Sequence, residues 1–250
     1  MIESYKNMSN SHGKVIGVIP ARLNSVRFPS KILAPFNGHP MVMSVAERAL
    51  QANTLDEVII AVDCEDVKKK LANSSFKIVM TSMKHCSGSD RVAEVIKDKE
   101  ADIVVNIQGD EPMLDPVIID SMVNIFCDDE VQMSTCVSTD ISLKDYADSN
   151  TVKVLLDEQN NANLFQRSME KTNIEGWYRH VGVYAYRKQT LLDFASLPPS
   201  YNEKKLFLEQ LRALDNGISV RAVITDYPYR GVDTKEDLER LNHMCVAEDL

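Results

Sequence analysis

Four short apolar runs, at residues 14–20, 58–62, 76–80 and 103–107, alternate with segments whose apolar residues recur at helical spacing. This alternation constrains the fold more than any other feature. A run such as Val58-Ile-Ile-Ala-Val62 has no polar face, so both of its sides need cover. Between the runs, Met41, Val45, Ala49 and Leu50 share one face of a helix expected over 40–53, behind the N-terminal Pro40. Shorter helices are expected over 66–73 and over 90–99, where Val92, Val95 and Ile96 face inward. Strands alternating with helices imply a largely parallel sheet covered on both faces. Such sheets bind ligands beyond the carboxyl ends of their strands, where strand order reverses. The loops after Ile19, Met80 and Ile107 are therefore where chemistry is expected.

The second half is less regular. Residues 132–139, 152–157, 163–166, 180–186 and 220–225 read as strands, and 206–216 and 235–244 as helices. Asn160-Asn161 reads as a hairpin turn. With no repeat or linker, one unit over 14–250 is expected, behind a polar tail at 1–13 and with a β-rich lobe at about 150–190.

A net charge of −9 argues against a general nucleic-acid binder, which needs a basic surface for phosphates. The five cysteines are an odd number without a CxxC pair, which fits reduced thiols in the cytoplasm better than a disulfide framework or a zinc site. No run approaches the roughly 20 apolar residues a membrane span needs. HExxH, GxSxG and GxGxxG are all absent, which counts against zinc hydrolase, serine hydrolase and dinucleotide chemistry.

Several clusters bear chemistry. Pro20-Ala21-Arg22, followed by Arg27 and Lys31, concentrates three cations on one loop leaving a buried strand. Arginine supplies forked hydrogen bonds and lysine a mobile point charge, so a triphosphate is the natural partner; a solvated basic loop is the alternative. Gln108-Gly109-Asp110-Glu111 follows the strand ending at Ile107. A carboxylate there faces the ligand crevice, where a hard cation would bridge it to phosphate; the alternative is a cap for the helix near Asp115. Gly231-Val-Asp233-Thr234 precedes a helix and offers either its cap or a second carboxylate for the same metal. In His85-Cys-Ser87-Gly88-Ser89-Asp90-Arg91, backbone and hydroxyl donors could read a base or ribose edge, and Ser87 or Ser89 is equally placed to cap a helix.

Taken in order, these motifs resemble those of the 3-deoxy-manno-octulosonate (Kdo) cytidylyltransferases, the CMP-Kdo synthetases. The resemblance rests on Ile19-Pro-Ala-Arg22 with Ser25-x-Arg27-x-Pro29-x-Lys31, His85 with Ser87 to Arg91, Asn106 to Pro112, Val152-Lys-Val154, Arg179 to Tyr186, Leu208 to Arg212 and Gly231 to Thr234. It spans residues 15–244.

The resemblance implies a nucleotide-diphosphosugar transferase-like three-layer α/β sandwich with a mostly parallel sheet. It implies a cytoplasmic homodimer joined through the smaller β-rich lobe, with a product that feeds a glycan such as lipopolysaccharide. Arg22 and Lys31 would hold the phosphates of CTP. Pro20, Ala21, Arg27, Ser87, Gly88, Arg91 and Gly109 would line the nucleotide site. Asp110 and Asp233 would bind Mg2+. Gln108 would contact the sugar acid, as would Arg167, His180, Tyr184, Glu209 and Gln210, which no spacing marks as a site.

Three departures border that sugar pocket: Leu206 stands where relatives commonly carry Glu, Gln166 replaces a usual Ser, and the 169–177 loop is short and lacks an Ile-Pro pair. They leave an amino-substituted Kdo open as the sugar. A metal-dependent glycosyltransferase and a catalytically idle nucleotide-binding relative are the other readings.

Overall fold

A computed structural model of the chain describes residues 12–23, 28–168, 175–228 and 231–248. Strand β1 (Val15–Ala21) leads through the two-residue pair β2 (Pro35–Phe36) and β3 (His39–Pro40) into helix α1 (Met41–Ala49). Then come β4 (Glu57–Val62), α2 (Glu65–Leu71), β5 (Lys77–Met80), α3 (Gly88–Ile96) and β6 (Ile103–Asn106). The four expected strands and three expected helices of this half all form. Most of the expected tail, residues 1–11, lies outside the described residues.

The second half contains α4 (Pro116–Asn124), β7 (Met133–Ser138), α5 (Leu143–Ala147), β8 (Lys153–Leu156), β9 (Ala162–Gln166) and β10 (Trp177–Arg187). It ends with α6 (Lys188–Ser196), α7 (Tyr201–Leu206), α8 (Leu211–Asp215), β11 (Val220–Thr225) and α9 (Lys235–Glu248). Asn160, with φ of 62°, turns the expected hairpin between β8 and β9.

The expected single helix over 206–216 is in fact two. A capping box of Ser200 and Glu203 starts α7 early, and α7 stops at Phe207, whose φ of 54° is left-handed. Leu208 and Leu211 then turn into the core.

The sheet runs β11-β7-β10-β6-β1-β4-β5, with β8 and β9 branching from β10. β1 is parallel to both β4 and β6, and β4 to β5; β10 is antiparallel to its neighbours β6 and β7. Alternate residues supply separate cores, as the period of two requires. Val15, Ile19, Val58, Ile60, Ile103 and Val105 pack with α1 and α4, whereas Ile16, Val18, Ile59, Ala61 and Val104 pack with α3 and α6. Three layers result.

From β1 the chain moves outward to β4 and β5, then returns past β1 to β6. The reversal therefore lies between β1 and β6, and their carboxyl ends open a crevice there. A third apolar cluster of Phe28, Phe36, Met41, Val232, Leu238 and Leu241 fastens α9 beside it.

Candidate active site

The crevice is built from loops that nearly touch. A β-carbon on Gly109 would lie 3.2 Å from the Pro20 carbonyl oxygen, and one on Gly88 would lie 3.3 Å from Pro20 Cγ. Both glycines let the loop after β6 and the start of α3 close against the end of β1. Arg22 follows on that end and is exposed, while Ala21 is buried. Arg27 lies outside the described residues.

Lys31 is the centre of the arrangement. It opens a short 3-10 turn, Lys31–Leu33, held by Leu33 N–H donating to the Ser30 carbonyl at 2.9 Å. Its ammonium donates to Asp110 Oδ2 at 2.5 Å and to the Val232 carbonyl at 2.7 Å, and lies 3.6 Å from Asp233 Oδ1. Val232 N–H donates back to the Asp110 carbonyl at 2.9 Å. Two aspartates separated by 122 intervening positions thus share one cation. Apolar burial of Val232 and Leu241 against Phe28 and Phe36 is what brings them together.

The capping alternatives resolve locally. Asp115 caps α4 itself, accepting from Val117 N–H at 3.0 Å, with Pro116 as the first helical residue. Asp110 and Glu111 are therefore not its cap. At α9, Thr234 Oγ1 accepts from Asp237 N–H at 3.1 Å, and Asp237 accepts from Thr234 N–H at 3.0 Å, so Thr234 is the cap. At α3, Ser87 is the cap, in a box with Asp90, and Ser89 turns inward to donate to Glu209 Oε2 at 3.0 Å.

Glu111 is buried beside the two aspartates, and that burial, with the charge of Asp110, holds its carboxyl well above the ordinary range. Only 3% of Arg91 is exposed; its guanidinium donates to Thr81 Oγ1 at 2.5 Å and to the Ser82 carbonyl, and lies 3.5 Å from Asp63. Asp63 in turn accepts from Leu23 N–H at 3.2 Å. Arg91 braces the loop after β1 from beneath.

Beyond Asp110 and Asp233 lies a cleft of about 740 Å3, bounded by His180 and Gly182 of β10 and by the 148–152 segment. β10 bulges between Val181 and Tyr184. A β-carbon on Gly182 would sit 3.6 Å from Gln108 Cγ, so Gln108 and β10 meet closely. The His180 ring packs edge-on to Phe165 at 5.2 Å and against Tyr184 at 5.4 Å, with Nε2 3.0 Å from Thr135 Oγ1. Burial pushes its pKa down to about 3, so it is a neutral imidazole at ordinary pH.

Glu209 is held by Ser89 and lies 3.7 Å from Arg212, and burial raises its pKa. Gln210 is buried next to it. The Arg167 guanidinium donates to the carbonyls of Ser149 at 3.2 Å, Leu206 at 3.2 Å and Phe207 at 3.0 Å. The cleft walls also include Asp140, Asp145, Asp148 and Arg240, which no motif marked, and Arg179, which opens the 179–186 motif but was given no role. Arg179 pairs with Asp145 at 2.6 Å. Of these, only Asp140 directly follows an expected strand, that at 132–139, and so carried a positional signal.

The donor set suits a hard cation. Asp110 and Asp233 offer carboxylate oxygens that already converge on one positive group, with no histidine or thiol among them.

A cytidylyltransferase family profile matches residues 16–222. The 3-deoxy-manno-octulosonate cytidylyltransferase of Solibacter usitatus is 41% identical over 243 residues, covering 95% of this chain and 96% of that protein. The chain belongs to this family. The Geobacter metallireducens member is 40% identical, covering 91% of this chain and 96% of its own. A solved CMP:2-keto-3-deoxy-manno-octonic acid synthetase, in complex with CTP, superposes with a TM-score of 0.87 at 37% identity, covering 95% of this chain and all of that one. The expected α/β sandwich of the family is the fold observed, with β8 and β9 as its antiparallel extension. Among the described residues no helix is long and apolar enough to cross a membrane.

Proposed function

We propose that the chain couples CTP to 3-deoxy-D-manno-octulosonate, giving CMP-Kdo and pyrophosphate. The observation that carries this reading is the convergence of Asp110 and Asp233 on Lys31 at the mouth of the β1/β6 crevice. The sugar's anomeric hydroxyl attacks the α-phosphorus of CTP. A phosphorus–oxygen bond to the sugar forms, the bond to the β-phosphate breaks, pyrophosphate departs, and the hydroxyl proton passes to solvent.

Such transfer asks the protein chiefly for positioning and charge neutralisation. Arg22 and Lys31, with Arg27, hold the triphosphate and neutralise the departing pyrophosphate. Pro20, Ala21, Ser87, Gly88 and Gly109 shape the nucleotide side, and Arg91 fixes the loop they border. Gln108, Arg167, His180, Tyr184, Glu209 and Gln210 orient the sugar acid. Neutral His180 serves as a hydrogen-bond partner rather than a charge. Asp110 and Asp233 would hold Mg2+, which when bound supplies charge for the α-phosphate and the sugar's oxygens.

Residues 14–250 act as one unit, and the β8–β9 extension joins two copies into a cytoplasmic homodimer. Half-exposed Leu164 on β9 is available to that contact. The retained carboxylates speak against an idle relative, and the three departures near Leu206 make an amino-substituted Kdo the second sugar to try.

Pyrophosphate release from CTP, measured with magnesium and a panel of sugar acids, tests the reading. Asp110→Asn lowers kcat by about a hundredfold or more with the fold intact, in the range of losing a transition-state electrostatic contact. Lys31→Ala raises the KM for CTP more than that for the sugar acid. Near-normal turnover in Asp110→Asn removes that residue from the mechanism.

A further inference from the structure

Lys153 is fully buried, which is rare for a lysine. It sits in mid-strand on β8, its backbone between Arg179 of β10 and Gln166 of β9. Its ammonium donates to two main-chain carbonyls, that of Asp148 at 2.6 Å and that of Arg167 at 2.7 Å. The first belongs to the segment that walls the cleft, and the second to the residue whose side chain faces the α7–α8 turn.

These contacts form a closed tether. Arg167 donates from its guanidinium to the Ser149 carbonyl, so the neighbouring carbonyls of Asp148 and Ser149 each meet a cation. Thr151 N–H folds back to the Asp148 carbonyl at 3.2 Å, and His180 N–H donates to the Val152 carbonyl at 2.9 Å. Asp148, Asn150, Thr151, Val152 and His180 all line the cleft. One buried ammonium therefore sets the spacing between the cleft wall, the main chain of Arg167 and, through Val152, His180. Burial lowers the pKa of Lys153, an energetic cost retained at a position where an apolar residue would pack.

We propose that Lys153 is a positioning residue for the sugar acid: it touches no substrate, and it fixes Arg167 and the 148–152 wall on the sugar side while leaving the CTP side alone. Among the described residues, the nucleotide loops at 20–23 and 109–110 are braced instead through Arg91, Asp63 and Lys31. This assignment rests on the sugar-acid reading above and adds a residue to it.

The test compares Lys153→Met, which keeps the length and apolar stem without the donors, and Lys153→Gln, whose amide can reach one carbonyl. A hydrogen bond to a charged donor is worth enough to move an equilibrium by about tenfold. In Lys153→Met the KM for Kdo rises about tenfold or more, while the KM for CTP stays within about twofold. Lys153→Gln falls between it and the wild type, and is read alone if the Met variant does not fold. A parallel rise in both KM values, or an unchanged KM for Kdo, overturns the proposal. Amide exchange across 148–152 keeps the two readings apart: it quickens in either variant even if the wild type refuses Kdo, and unchanged exchange overturns the tether itself.

Discussion

At the scale of single residues, His180 illustrates how burial selects a protonation state. Its ring is enclosed by Phe165, Tyr184 and Thr135, and its pKa falls to about 3 from an ordinary 6.5. Above pH 6.5 both folded and unfolded chains carry it neutral. As pH falls below that value, the unfolded chain takes up a proton that the folded chain refuses, so stability is lost at up to about 1.4 kcal/mol per pH unit. Part of the ring's surface opens to the cleft, so a smaller loss of about 2 kcal/mol by pH 4 is expected. Denaturant titrations of His180→Gln should show a correspondingly flatter acid limb between pH 6 and 4. Parallel limbs would mean that His180 titrates normally. The sequence placed this histidine in a strand but held no sign of the enclosure, because Phe165 and Thr135 reach it from two other strands.

At the scale of elements, legibility followed length and burial. β1, β4 and β6 were readable because strands covered on both faces must be apolar throughout. α5, α6 and α7 were not anticipated: α5 and α7 are too short to show a helical repeat, and the turns of α6 merge with the preceding strand's apolar run. The join of α7 and α8 was misread because Leu208 and Leu211 stand at helical spacing across it. Phe207 breaks it in a left-handed conformation that costs a non-glycine residue roughly 1–2 kcal/mol. Its side chain is 81% exposed, so little packing offsets that cost. Phe207→Gly should therefore stabilise the fold by about 0.5–1 kcal/mol, once glycine's extra unfolded-state entropy is subtracted. Urea unfolding decides it: a lower midpoint would show that the phenyl ring makes contacts worth more than the strain.

At the scale of the whole molecule, the site exists because distant apolar packing forces charged groups together. Motif spacing could nominate Asp110 and Asp233 but not unite them, since no local pattern connects the β6 loop to the start of α9. The union depends on Phe28, Phe36, Met41, Val232, Leu238 and Leu241, which hold α9 against the loop carrying Lys31. Stability and the geometry of the carboxylate pair are thus coupled through one apolar cluster. Leu241, 1% exposed, lies within that cluster and away from Lys31's hydrogen bonds. Truncating it to alanine should cost about 2–4 kcal/mol as a buried large-to-small change. The same change loosens the seat of Asp233 but leaves both carboxylates chemically intact. Leu241→Ala should accordingly raise the magnesium concentration needed for half-maximal pyrophosphate release, with kcat at saturating metal closer to normal than in Asp110→Asn. If the metal requirement is unmoved while stability falls by the expected amount, α9 packing supports the fold without setting the geometry of the carboxylate pair.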